Sequence, residues 1–241
     1  MKIKKYLSPN FNSRKRSAKS IKVIVFHYTG MQSERESLIR LCSEKFKVSC
    51  HYLIGRNGAV YRLVKENKIA WHAGQSHWGN YKNLNKNSIG VELVNKGHQF
   101  GYTNFTKKQI LSLVKICKTL IKRYKIKKKY IVGHSDISPL RKIDPGEKFP
   151  WKYLAKKKIG IWHDYKPNFL RKFRKIKIFK KHDKVKFVKN LNNIGYCFSF
   201  RKNFLFTKTV KAFQRRYRKE LINGLLDKEC LIIAQNLTKK L

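Results

Sequence analysis

Three short apolar runs in this sequence hold or meet residues that a buried strand ordinarily excludes. Ile21–Phe26 closes on His27, the run S-I-G-V-E-L-V at Ser88–Val94 has Glu92 inside it, and Tyr130-Ile131-Val132 leads through Gly133 to His134. Runs of this length, rich in β-branched residues, predict strands. Segments with helical spacing lie between and around them. Ser33-Glu34-Arg35-Glu36 is a capping-box pattern ahead of Leu38, Leu41 and Cys42, and Thr106 with Gln109 opens a helix whose Ile110, Val114, Cys117 and Ile121 share a face. Gly55-Arg56-Asn57-Gly58 between two β-rich runs signals a hairpin. Pro150–Lys156 predicts a last short helix of this part. Strands alternating with helices, with a hairpin inside, imply an α/β fold: a mixed β-sheet flanked by helices. The stretch Lys65–Asn87, with Trp71, His72, His77 and Trp78, is long for a bare connection, and such loops are usually functional.

The densest chemistry lies in V-G-H-S-D-I-S-P-L-R-K-I-D-P-G-E-K-F-P-W, Val132 to Trp151. Pro139 and Pro145 stiffen this loop, because proline fixes φ and removes a backbone donor. A stiff loop folding back can bring Asp144 next to His134. With His27 this makes two imidazoles and a carboxylate with a fourth position open, the ligand count of a catalytic zinc site. Histidines at strand ends are also common as satisfied structural residues, and spacing alone leaves both readings open. Glu92 poses a similar choice. An unpaired carboxylate in an apolar strand is costly, so it either moves protons or pairs with one of the many lysines.

Taken together, V-I-V-F-H-Y-T around His27, S-I-G-V-E-L-V-N around Glu92 and the run from His134 to Pro150 resemble the zinc-dependent N-acetylmuramoyl-L-alanine amidases (amidase type 2). The resemblance spans about Ser8 to Asp164, and A-W-H-A-G at Ala70–Gly74 matches the bacterial, anhydro-muropeptide branch. It implies Zn2+ held by His27, His134 and Asp144, with aspartate where phage and animal members have cysteine. It also implies Glu92 as general acid–base and Lys142 as the cation opposing the oxyanion. The bond cut would be the amide between N-acetylmuramic acid, or its 1,6-anhydro form, and L-alanine, in peptidoglycan or muropeptides. His72, Trp71, Tyr28 and Lys47 are candidate substrate contacts, Lys47 through a peptide carboxylate. Cys50 stands where phage and animal members place a tyrosine of the site.

The C-terminal third reads as a small all-α domain. Val185, Val188, Leu191 and Ile194-Gly195-Tyr196 suggest a helix ending at glycine, Val210–Tyr217 a second, and a third runs to Leu237. Helix–G-Y, A-F-Q and N-G-x-x-D resemble a three-helix peptidoglycan-binding module, although Asn223 stands where that module usually has aspartate. The expected division is 1–164 amidase domain, 165–183 basic linker carrying Phe169, Phe173 and Phe179, and 184–241 module. A generic helical tail is the plainer alternative.

A net charge of +45, from 58 basic and 13 acidic residues, favours polyanions. The basic residues are spread along the whole chain, and none of the nucleic-acid-binding signatures occurs. Binding of nucleic acid therefore rests on charge alone, and a non-catalytic peptidoglycan binder is the other alternative to an enzyme. Five separated cysteines without C-x-x-C argue against a disulfide framework or zinc knuckle and suit a reducing compartment. The basic N-terminus lacks an apolar stretch of signal-peptide length, and no segment reaches transmembrane length. The expectation is a cytoplasmic monomer, with a periplasmic or wall-associated location as the alternative.

Overall fold

The computed structural model describes residues 2–178, 180–197 and 203–241. In chain order the first elements are β1 (Ile3–Lys5), β2 (Phe11–Asn12), β3 (Val23–Tyr28), α1 (Glu34–Cys42), β4 (Tyr52–Ile54), β5 (Val60–Arg62), β6 (Ile69–Ala70), β7 (His77–Trp78), β8 (Tyr81–Lys82) and β9 (Ser88–Leu93). After them come α2 (Lys107–Tyr124), β10 (Ile131–Gly133), α3 (His134–Ile137), α4 (Trp151–Lys156), α5 (Pro167–Arg171), α6 (Lys181–Ile194), α7 (Asn203–Tyr217) and α8 (Lys228–Thr238). The main sheet runs β1-β5-β4-β9-β3-β10, parallel except for the antiparallel pair β4–β5. It is the mixed sheet expected, and the hairpin falls where Gly55–Gly58 predicts it.

Local chemistry accounts for the element ends. Thr106 Oγ1 accepts from Gln109 N while Gln109 Oε1 accepts from Thr106 N, so the capping box closes and α2 begins there. Ser33 accepts from Glu36 N at the start of α1. The 65–87 stretch is not bare loop. It contains β6, which pairs with β2, and the β7–β8 ribbon. The first residues belong to the fold: β1 extends the sheet, and Ser8 and Asn10 are buried. The span 165–183 is not unstructured linker either: it includes α5 and the start of α6. Phe179 lies outside the described residues.

The central strands are buried on both faces, which is why they read as continuous apolar runs rather than as alternation. Alternate residues of β3 point opposite ways. Ile24 and Phe26 pack with Ile110, Leu113 and Leu120 of α2. Val23 and Val25 belong to a second core that continues through Trp78, Ile137 and Tyr196 to Phe187, Leu191, Phe213 and Ile233 of the C-terminal helices. Those helices thus share a core with the sheet. The corner before Tyr196 demands glycine: Gly195 has φ 132°, and a Cβ there would lie 2.4 Å from Trp78 Cε2.

Candidate active site

The carboxyl ends of the parallel strands β3 and β10 place His27 and His134 side by side, and the loop after α3 returns Asp144 to them. Ser135 N donates to Asp144 O at 2.8 Å, pinning that return to the first turn of α3. All three residues are buried. His27 Nδ1, His134 Nδ1 and Asp144 Oδ2 form a triangle with sides of 3.0, 3.1 and 3.1 Å.

The hydrogen bonds behind the triangle fix its protons. Ser88 Oγ lies 2.6 Å from Leu84 O, which can only accept, so the hydroxyl hydrogen goes there. His72 Nε2, 3.1 Å from Ser88 Oγ, must then be the donor, which leaves His72 Nδ1 as an acceptor. His27 Nε2 donates to it at 3.1 Å, so in the neutral ring His27 Nδ1 is a bare lone pair. His134 Nε2 faces Ala73 O at 3.3 Å and donates, leaving its Nδ1 bare as well. Two imidazole lone pairs and a carboxylate oxygen therefore converge with no hydrogen between them. Three acceptors meeting in a buried place repel unless a cation joins them, and the donor types are those zinc prefers. The triangle is slightly tighter than a tetrahedron with metal–ligand bonds of about 2.0–2.1 Å would have, so a small outward shift would admit the ion.

Electrostatics agree with the proton assignment. Burial, helped by the neighbouring His134, pushes the His27 imidazole down to about 4 against the opposing pull of Asp144. Burial, then His27 and His51, holds the His72 ring well below its ordinary value. Burial alone would raise the Asp144 carboxyl; only hydrogen-bearing imidazoles would hold it well below the usual carboxylate range, so with both Nδ1 atoms bare that pull is left for a cation to supply. His72 reaches its place because β9 has a glycine beside it, where a Cβ on Gly90 would meet His72 Cγ at 2.5 Å.

Glu92 pairs in register with His27 across β3 and β9. Its side chain is buried, and Oε2 has no hydrogen-bond partner. Burial pushes the carboxyl well above its ordinary range, the Asp144 charge adds to this, and Lys142 opposes it. Glu92, Lys142, Tyr28 and the triangle line one cavity of about 350 Å³, together with Arg40, Gln99 and Arg141. Tyr28 Oη is held by His98 Nδ1 at 3.0 Å, and His98 Nε2 meets Glu147 Oε2 at 3.1 Å.

The other expected contacts fall elsewhere. His72 touches the cavity, but both its ring nitrogens are engaged inside the protein, behind His27. Neither Trp71 nor Lys47 lines the cavity. Trp71 Nε1 donates to Asn12 Oδ1, and Lys47 is exposed at the end of the 3-10 turn over 44–46. Sequence reasoning missed Arg40, Gln99 and Arg141. Arg141 directly precedes Lys142 and was the one recoverable from its neighbour.

A mixed sheet whose parallel strands bear a His-His-Asp donor set beside a buried glutamate and a lysine defines a hydrolase-type centre. The profile of the N-acetylmuramoyl-L-alanine amidase family matches residues 17–147. N-acetylmuramoyl-L-alanine amidase AmiD of Escherichia coli K12 is 36% identical over 237 residues, covering 91% of this chain and 83% of that protein. Its structure in complex with the substrate anhydro-N-acetylmuramic acid-L-Ala-D-gamma-Glu-L-Lys superposes with TM-score 0.82 at 34% identity, covering 95% of this chain and 93% of that one. AmpDh3 of Pseudomonas aeruginosa, complexed with anhydromuramic pentapeptide, superposes with TM-score 0.80 at 30% identity over 97% of this chain and 98% of that one. The 1,6-anhydro-N-acetylmuramyl-L-alanine amidase AmpD of Haemophilus influenzae is 44% identical over 113 residues, 46% of this chain and 59% of that protein. This chain belongs to the N-acetylmuramoyl-L-alanine amidase family.

Proposed function

We propose that the chain hydrolyses the amide between the lactyl group of an anhydro-muramyl peptide and L-alanine, with zinc held by His27, His134 and Asp144. The observation that carries the metal assignment is the convergence of three hydrogen-free acceptors in a buried triangle. When bound there, zinc would polarise the lactyl carbonyl and lower the pKa of a water.

The chain's own groups supply the rest. Water oxygen bonds to the lactyl carbonyl carbon while Glu92 accepts the proton released. The C–N bond then breaks, and Glu92 returns that proton to the departing alanine nitrogen. A carboxyl held above its ordinary range is both a stronger base when ionised and an acid suited to this delivery near neutral pH. Lys142 offsets the negative charge that gathers on the carbonyl oxygen. Tyr28, whose hydroxyl hydrogen goes to His98 Nδ1, presents its oxygen as an acceptor to the muropeptide from the cavity wall. Arg40 and Arg141 give that wall positive charge suited to the carboxylates of the stem peptide. His72 serves by fixing His27, and we assign Trp71 and Lys47 no contact with substrate.

The small-muropeptide reading is supported by the anhydro-muramyl ligands bound to the two structural relatives. Five unpaired cysteines fit a reducing compartment, as the cytoplasm is. Among the described residues no helix is long and apolar enough to cross a membrane.

The test is to incubate zinc-loaded protein separately with soluble anhydro-muropeptide and with sacculi, and to identify products by mass. Release of free peptide with N-terminal alanine from the soluble substrate, lost in Glu92→Gln, supports the reading. Intact muropeptide after prolonged incubation would sink it.

A further inference from the structure

A buried knot lies next to His134, made of groups that do not line the cavity. Asp136, on the short helix α3, is about as deeply buried as a carboxylate can be, at 1% exposure. It is met from the C-terminal helices by two residues remote in sequence. Arg216 of α7 donates through Nη1 to Asp136 Oδ2 at 2.6 Å, and Tyr196, after α6, donates to Oδ1 at 2.6 Å. The same Oδ2 accepts from Gly133 N at 2.8 Å. The guanidinium also donates through Nη2 to Ile131 O at 3.0 Å and lies 4.1 Å from the Trp151 ring centroid.

These contacts bracket one residue. Ile131 and Gly133 precede His134, Asp136 follows it, and all three are gripped by a single guanidinium–carboxylate pair. Asp144 hangs from the same segment through Ser135 N. Any shift of the 131–136 segment therefore moves two of the three triangle atoms together. Tyr196 is fixed in turn by Trp78, whose ring centroid is 4.7 Å away in a T-shaped contact, and by the Gly195 O to Gly79 N bond of 2.7 Å. Nothing in this arrangement behaves like a tethered appendage.

We infer that the C-terminal helices are part of the metal-site scaffold: Arg216 and Tyr196 act through Asp136 as positioning residues for His134 and Asp144. The inference rests on the metal reading above. Groups that orient metal ligands without touching the ion typically change its affinity by about 10–100-fold when removed. A role confined to cohesion of the fold would leave affinity in the folded protein unchanged.

The experiment measures zinc affinity of full-length protein by competition with a chromophoric chelator, and the visible spectrum after loading with cobalt(II). Arg216→Met should weaken zinc binding by about 10–100-fold and shift the cobalt bands. Tyr196→Phe should do the same to a smaller extent, and Arg216→Lys, which keeps a charge for Asp136, should recover part of the loss. Leu237→Ala serves as control, because it removes a fully buried side chain of the shared core on α8, outside the contacts of Asp136, Arg216 and Tyr196. It should lower the melting temperature while leaving affinity and spectrum as in the wild type. Should Arg216→Met fail to fold, Tyr196→Phe decides alone. Wild-type affinity in Arg216→Met, or in Tyr196→Phe when that variant decides, overturns the inference, as does an equal loss in Leu237→Ala. A wild-type protein that takes up neither zinc nor cobalt overturns the metal reading first, and this inference with it.

Discussion

Two aspartates on either side of His134 have opposite surroundings. Asp144 faces two imidazole lone pairs and no hydrogen, whereas Asp136 receives a guanidinium, a phenol and a backbone amide. Both carboxylates are buried, so both carry a desolvation penalty. At Asp136 the chain supplies its own cation and every oxygen is satisfied. At Asp144 it brings together acceptors only, which makes sense if the cation comes from outside. The first arrangement is a structural tie; the second has the donor set that the proposed zinc site requires. A buried carboxylate in this fold thus declares its role by whether the protein has provided its counter-charge.

The largest expected effect breaks the second arrangement. Replacing His27, His134 or Asp144 with alanine should reduce zinc from about one ion per chain to a trace, as measured by elemental analysis after dialysis. Full zinc content in Asp144→Ala would remove the contrast altogether. Next in size is Glu92→Gln, which should keep the zinc and still bind muropeptide. It should lose turnover by about 10²–10⁴-fold, the usual worth of a positioned proton-transfer group.

At the self-sufficient tie the readout is stability. Arg216→Met leaves Asp136 charged and uncompensated, which should cost about 3–5 kcal/mol in urea unfolding. The exposed pair Lys240–Asp164 makes the opposite case. Lys240→Met should leave the unfolding midpoint essentially where it is in the wild type. Equal effects from the two pairs would show that the buried tie is not special.

A buried group near the same joint gives a pH dependence. His163 is 8% exposed, and burial pushes its imidazole down to about 4; Lys152 and Lys240 lower it further, while a hydrogen bond to the Tyr217 backbone and the charge of Asp164 oppose the shift. With an unfolded value near 6.5, the unfolded chain binds a proton that the folded chain refuses between about pH 6.5 and 4. Stability should therefore fall as pH drops through that window, by about 2–3 kcal/mol at its end. His163→Gln should flatten this part of a melting-temperature profile. An unchanged slope would show that other groups govern acid sensitivity.

What could be read from the sequence followed from distance along the chain. His27, Glu92 and His134 are legible because each interrupts or ends an apolar run, and Asp144 because two prolines frame its loop. The sheet order, with β9 between β4 and β3, has no such local signal, since it depends on which strands meet after collapse. The same holds for the Asp136–Arg216 tie, whose partners are 80 positions apart. The motif around His72 reads as facing substrate; only the space left by Gly90 directs the ring behind His27. The 165–183 segment reads as linker because its partners, among them Asp227 and Glu229, lie far along the chain.

The most exacting test of the proton assignment, with a smaller effect on the metal site than loss of a ligand, belongs to Ser88. Its hydroxyl donates to Leu84 O and accepts from His72 Nε2, so it dictates which nitrogen of His72 carries hydrogen. That choice dictates in turn that His27 Nε2 donates and Nδ1 stays bare. Ser88→Ala removes the first member without touching the ion's ligands. His72 then loses its acceptor and can place its hydrogen on Nδ1, where it would oppose the donor on His27. Loss of a buried hydrogen bond should cost about 1–2 kcal/mol of stability. Zinc affinity should fall about tenfold, the low end for groups that hold a ligand rather than the metal. Ser88→Thr, which keeps the hydroxyl, should restore affinity if the added methyl is accommodated. Unaltered affinity in Ser88→Ala would mean that His27 presents its lone pair without help from the chain of bonds behind it. The distinction between the two aspartates would then rest on Asp144 and His134 alone.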